Sequence, residues 1–235
     1  MKVYWLEQTE SDVPANADWL SASEAECLNA LRVPKRRADW RLGRWTAKRA
    51  LAVYLGIATD SRSLSDIEIR PAASGAPEVF VANRPAAARI SLSHSNGTAL
   101  CAIASFGAAL GCDLELIEPR SDAFIADYFT TEEQDLVAQA SAADRPRLST
   151  LFWSAKESTL KALREGLRQD TRAVAVSLNG APRSDGVDGE RDSVWQPLHV
   201  CYTDGQRFHG WWQQNGNLLR TLVTAPRAIT PIALG

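Results

Sequence analysis

Histidine is scarce in this 235-residue chain: His94, His199 and His209 are the only three, which makes a polyhistidine metal site an unpromising reading. Cysteine is nearly as rare. Cys27, Cys101, Cys112 and Cys201 form no C-x-x-C pair, so neither a zinc site nor a disulfide framework is indicated, and small buried residues in a reducing cytosol are the expectation. No GxxxxGK[ST] loop is present, and no Ser-His-Asp or Cys-His arrangement stands out. An excess of either charge is missing too. Lysine and arginine number 26 against 28 aspartates and glutamates, a net charge of -2, which gives no global basic field for nucleic acid. Any anion site must then come from a local cluster. Long hydrophobic runs are lacking: the uncharged, mostly apolar stretch Thr98–Cys112 is shorter than a membrane span and is interrupted by Gly107 and Gly111. The opening MKVYWLEQTESDVPANAD is too polar for a secretory signal. A cytoplasmic protein without membrane or nucleic-acid partners is expected.

What is present suits one large domain or two small ones, with 45% hydrophobic and 23% charged residues. A strand is expected at Lys2–Leu6, followed by a capping box at Ser21-Ala-Ser-Glu24 that opens a helix to about Val33. Pro34 starts a further segment, and Asp39–Leu55 reads as a longer helix closed by Gly56. Strands follow near Ile67–Arg70, Glu78–Ala82, Arg89–Ser93, Ala99–Ser105 and Leu110–Leu116. After Pro119 the pattern is helical again, with a second capping box at Thr130-Thr-Glu-Glu133 and a long helix over Arg145–Glu165 closed by Gly166. From Val174 onward the sequence alternates like strands around a polar loop at Ala181–Asp192, and the tail from Pro226 is expected to be loose. Two echoes suggest duplication: Trp45-Thr-Ala-Lys-Arg49 with Trp153-Ser-Ala-Lys-Glu157, and Gly97-Thr-Ala-Leu with Gly216-Asn-Leu-Leu.

Four groups of residues carry chemistry. In Gly111-Cys-Asp113-Leu-Glu115 the two carboxylates sit two apart on a strand and share a face, while Leu114 points the other way. Paired carboxylates repel unless a cation lies between them, and an all-oxygen pair suits magnesium or manganese; a solvated strand edge shows the same pattern. In Phe152-Trp-Ser-Ala-Lys156-Glu157-Ser-Thr-Leu-Lys161-Ala, Trp153, Glu157 and Lys161 stack at helical spacing. Glu157 can be a third metal ligand or a base with Lys161 meeting phosphate, or the two can be a plain surface pair. Ser93-His94-Ser95 ends a strand in a polar turn, where the histidine can bind a phosphate or cap its own turn. Arg37, Arg41, Arg44 and Lys48 recur at spacings of four, three and four, forming a basic stripe beside Lys35 and Arg36. Such a stripe is either a solvated face or a seat for a multiply charged anion.

In this order the four groups resemble the 4'-phosphopantetheinyl transferases, in particular the two-halved type that activates peptide and polyketide synthetases. Gly111–Glu115 is similar to the family's GxDxE and Trp153–Ala162 to its [FW]xxKExxxKA, with Ser93-His94-Ser95 and Arg41 upstream. The resemblance implies Mg2+-dependent (or Mn2+-dependent) transfer of the phosphopantetheine arm of coenzyme A to a serine of an apo acyl or peptidyl carrier protein, releasing 3',5'-ADP. It implies that Asp113, Glu115 and Glu157 hold the metal, and that Glu157 also helps deprotonate the serine. Lys161, with Lys156 nearby, would face the pyrophosphate, and Arg41, Ser93 and His94 would meet the adenosine 3'-phosphate and adjoining groups. Glu133 would help orient phosphate or nucleophile, in competition with plain helix capping. Among the basic residues ahead of Arg41, the choice between Lys35, Arg36 and Arg37 stays open. Where the family often has a Gly-Lys-Pro turn on coenzyme A, this chain has Gly75-Ala76-Pro77, which removes a lysine contact. A nucleotide hydrolase using the same acidic groups and a non-catalytic coenzyme A-binding scaffold are the competing readings. The expected fold is α+β, a monomer of two pseudo-symmetric halves, 1–117 and 118–235, each a small sheet with helices, with the site in a cleft between them. Aromatic residues from Phe124 to Phe129 are the first place to look for a carrier anchor.

Overall fold

Strand-forming Val3–Thr9 opens the chain as β1, and the first capping box then starts helix α1 (Ala22–Ala30): Ser21 Oγ accepts from Glu24 N, and the Glu24 carboxylate accepts from Ser21 N. Helix α2 (Pro34–Leu55) begins at Pro34, ahead of the expected Asp39, because a proline at the first helical position gives up no hydrogen bond. It stops at Gly56, whose φ of 68° is the left-handed value a helix C-terminus needs. A short α3 (Ser61–Ser65) leads to a three-stranded sheet of β2 (Ile67–Pro71), β3 (Pro77–Val81) and β4 (Arg84–Pro85). The hairpin β5 (Ala88–Ser95) and β6 (Thr98–Ser105) turns at Asn96-Gly97, both at positive φ as a tight two-residue turn requires.

The second series starts with β7 (Ala109–Leu116) and continues through α4 (Asp122–Tyr128), α5 (Thr131–Gln139) and α6 (Arg145–Leu163) to β8 (Val174–Leu178), β9 (Gln196–Tyr202), β10 (Arg207–Asn215) and β11 (Leu218–Ala225). Its five strands form one antiparallel sheet in the order β7-β11-β10-β9-β8. The tail does not run loose throughout: β12 (Ile232–Ala233) pairs in parallel with β1, giving a first sheet ordered β12-β1-β6-β5. The computed structural model describes residues 1–165, 169–178 and 194–234; Gly166 and the polar loop at Ala181–Asp192 lie outside them. Helix α6 is closed instead by Arg164, at a φ of 62°. The result is the expected α+β class, and among the described residues no helix is long and apolar enough to cross a membrane.

The chain divides into two units, Lys2–Ala108 with the end of the chain from Pro231, and Ala109–Thr230 with Met1. The boundary falls before β7 and not at the expected 117/118. The reason is hydrogen bonding: β7 is zipped along its whole length to β11, from Ala109 opposite Ala225 to Leu116 opposite Leu218. Each unit has its own core. Ala47, Leu51 and Trp45 of α2 pack with Cys101 and Ile103 in the first, and Phe152 and Leu160 of α6 with Phe208, Leu219 and Val223 in the second. Cys101 and Cys112 are buried as expected, whereas Cys27 and Cys201 are exposed.

The two units repeat one plan. A strand (β1 or β7) is followed by a capped short helix (α1 or α5), a long helix (α2 or α6), and later a hairpin (β5–β6 or β10–β11) whose second strand pairs with the first. The match extends to side chains. Lys48 meets Glu24 at 2.5 Å and donates to Trp19 O and Leu64 O; Glu24 accepts from Ile69 N. Lys156 meets Glu133 at 2.8 Å and donates to Thr171 O and Val174 O; Glu133 accepts from Val176 N. Both glutamates also close the capping box of their short helix. Counted from the hairpins, Leu6 and Gln8 stand where Asp113 and Glu115 stand. Counted from the lysines, Arg49 and Val53 stand where Glu157 and Lys161 stand. The frame is duplicated and the acidic set is not.

Candidate active site

Strand β7 and helix α6 lie against each other so closely that a Cβ on Gly111 would come 1.7 Å from Ser158 O. Glycine is therefore required there by the approach of two backbones, and that approach brings the acidic strand to the helix carrying Glu157 and Lys161. Polar pins hold it from within: Thr221 Oγ1, on the strand beside β7, lies 2.9 Å from Ser154 Oγ and 2.7 Å from Ser158 Oγ.

At this crossing Asp113 is buried, and Lys161 donates to its Oδ1 at 2.8 Å and to Cys112 O at 3.1 Å. Burial pulls the Lys161 ammonium down, but Asp113 beside it, with Cys112 and Glu157, holds it above its ordinary value. Glu115 is half-buried and fixed by both oxygens, Oε1 accepting from Trp153 Nε1 at 3.0 Å and Oε2 from Arg120 at 3.1 Å. Burial and the Asp113 charge raise its pKa, against the pull of Arg120 and Trp153. Glu157 accepts no hydrogen bond among the described residues. Burial raises its pKa, as do the charges of Asp113 and Glu115, while Lys161 opposes them. Three carboxylates thus share one electrostatic environment with Lys161 and Arg120. Among the described residues no three His, Cys, Asp or Glu groups converge into a ready-made metal cage.

Comparison with known proteins bears on what such a site does. The 4'-phosphopantetheinyl transferase superfamily matches residues 109–207, the stretch that contains the whole acidic set. The 4'-phosphopantetheinyl transferase HetI of Nostoc sp. is 29% identical over 164 residues, which is 69% of this chain and 67% of that protein. Both matches are to 4'-phosphopantetheinyl transferases. Among solved structures, a holo-(acyl-carrier-protein) synthase from Bacillus anthracis in complex with CoA (3',5'-ADP) aligns with a TM-score of 0.36, at 21% identity, over 43% of this chain and 92% of its own. A Helicobacter pylori holo-[acyl-carrier-protein] synthase in complex with coenzyme A aligns with a TM-score of 0.31, at 15% identity, over 44% and 98%.

The structure brings Asp113, Glu115, Glu157 and Lys161 together and gives several other expected site residues partners elsewhere. Glu133 and Lys156, expected at the phosphate or nucleophile, are occupied with each other. Both are buried, and burial pushes the Glu133 carboxyl up and the Lys156 ammonium down. The same pair recurs as Glu24–Lys48 in the unit that lacks the acidic set, which marks it as framework. The basic stripe is likewise neither a solvated face nor an open anion seat. Arg41 donates to the carbonyls of Pro14, Ala15 and Asn16, Arg37 to those of Leu28 and Leu31, and Arg44 and Lys48 flank Glu24. The stripe clamps α1 and the loop before it.

The remaining candidates belong to the first unit. Arg36 is exposed; Lys35 pairs with Asp39; Gly75, at a φ of 86°, turns β2 into β3, which starts at Pro77. His94 is exposed near the end of β5, next to half-buried Ser93. Two residues at the acidic site were outside the sequence candidates, Arg120 and Trp153. Trp153 had a signal, standing four residues before Glu157 on the same helical face, whereas nothing local marked Arg120 as the partner of Glu115.

Proposed function

We propose that this protein is a phosphopantetheinyl transferase that moves the 4'-phosphopantetheine group from coenzyme A to a serine of an apo acyl or peptidyl carrier protein, with Mg2+ or Mn2+ as cofactor, releasing 3',5'-ADP. The observation that carries this reading is the convergence of Asp113, Glu115, Glu157 and Lys161 at one strand–helix crossing. The donor set fits a hard divalent cation: it is all carboxylate, and burial together with its mutual repulsion raises Glu115 and Glu157. Magnesium keeps several waters and needs only one or two carboxylates, so a preformed cage is unnecessary. Asp113, Glu115 and Glu157 would hold it, and when bound it supplies positive charge at the phosphates of coenzyme A.

The chain's own residues do the rest. Glu157, without a hydrogen-bond partner among the described residues and with its pKa raised, takes the proton of the serine hydroxyl, directly or through water. The serine oxygen bonds to the β-phosphorus of coenzyme A, and the bond from that phosphorus to the departing 3',5'-ADP oxygen breaks. Lys161, kept protonated beside Asp113, stabilises the charge on the leaving phosphate. All four residues come from one unit of one chain, which supports action as a monomer.

Intact-mass spectrometry of an apo carrier incubated with the protein, coenzyme A and Mg2+ tests this. The expected result is a gain of one phosphopantetheine, abolished by EDTA. Release of phosphopantetheine without any carrier gain would instead establish a hydrolase, and bound, uncleaved coenzyme A a scaffold.

A further inference from the structure

Glu115 is held by two donors of different kind. The Trp153 indole is neutral and fixes Oε1, whereas the Arg120 guanidinium covers Oε2 with a full positive charge. A closed ring of contacts supports both: Arg120 lies over the Phe124 ring at 5.1 Å, and Phe124 meets Trp153 edge-on at 5.0 Å. Arg120 has a second carboxylate within reach, Glu118 at 3.6 Å, and its Nε has no partner among the described residues. It is therefore not locked to Glu115.

We infer that Trp153 and Arg120 are positioning residues that act in opposition on Glu115: Trp153 aims the carboxylate at the divalent ion's place, while Arg120 competes with the ion for it. This rests on the proposed metal-dependent reading. A neutral donor leaves the charge of Glu115 in place and orients it, which raises its value as a ligand. A guanidinium on the same carboxylate repels an arriving dication and occupies an oxygen the dication would use. Arg120 thus serves as a built-in counter-cation, and Glu118 offers it a place when Glu115 turns to the ion.

The test is a titration of the full chain with Mn2+, reading free Mn2+ by its electron paramagnetic resonance signal, with a thermal melt of each variant to confirm folding. Arg120→Gln keeps a donor and removes the charge; it is expected to bind Mn2+ about threefold or more tightly than wild type. Arg120→Lys keeps the charge and is expected to stay near wild type. Trp153→Phe keeps the ring packing and removes the donor; it is expected to bind about tenfold more weakly. Arg120→Gln binding no tighter than wild type, Arg120→Lys behaving like it, or Trp153→Phe binding unchanged would overturn the inference while the metal reading stands. Wild-type binding that is absent, or insensitive to Asp113→Asn, would overturn the metal reading and this inference with it.

Discussion

Among the described residues Glu157 differs from its neighbours in having neither a lysine nor an indole hydrogen-bonded to its carboxylate, and its charge is the one a nucleophilic serine can use. Replacing it with glutamine preserves size and removes the base. Carrier modification measured by intact mass is expected to fall by about 10²–10⁴-fold, with coenzyme A binding by calorimetry weakened much less; unchanged turnover would remove the residue from the mechanism. Gly111 is the other single position with an outsized role. A methyl group there collides with the Ser158 carbonyl, a backbone atom that cannot swing aside. Gly111→Ala is expected to cost about 1–3 kcal/mol or more by chemical denaturation, since β7 and α6 must separate to admit it, and to lower activity by moving Asp113 away from Lys161. Glycine and both carboxylates were legible in the sequence as one motif. The steric reason for the glycine was not, because Ser158 is distant in the chain.

Among the elements, the two long helices show how alike sequences take up different duties. Each presents a lysine to the capping glutamate of the short helix before it, and each lysine is wholly buried. Removing one partner of such a pair strands a charge. Lys156→Met is expected to cost about 3–5 kcal/mol, and Glu133→Gln with Lys156→Met together much less than the sum of the two single changes. The corresponding cycle at Glu24 and Lys48 is expected to give the same sign of coupling. A phosphate-binding role for Lys156 predicts the opposite outcome, with stability little changed and the Michaelis constant for coenzyme A raised. Helical spacing placed Arg37, Arg41, Arg44 and Lys48 correctly on one face. It could not say what covers that face, and the answer is the carbonyls of residues 14–16 and the end of α1.

Across the whole molecule the acidic set leaves a signature in stability. Glu115 and Glu157 bind their protons more tightly in the folded protein than in the unfolded chain, where a glutamate titrates near 4.5. Stability contributed by their protonated forms is therefore present below their raised values and lost as pH climbs through them. In metal-free buffer, Glu157→Gln is expected to gain in thermal midpoint over wild type as pH rises from about 4.5 toward neutrality, with the gap shrinking when Mg2+ is added. A gap that stays constant with pH would show that Glu157 is not coupled to its neighbours.

Local patterns were enough to reveal the α+β class, the two capping boxes, the acidic strand, the Glu157 helix and the hint of duplication, because caps, strand alternation and helical spacing act over a few residues. Tertiary structure decided the matters of partnership. It took Glu133, Lys156 and the basic stripe into the frame, brought Arg120 and Trp153 onto Glu115, and moved β7 into the C-terminal unit. The physical reason is the same in each case. A buried charge or an open strand edge is satisfied by whatever group the fold delivers to it, and that group lies tens of residues away along the chain.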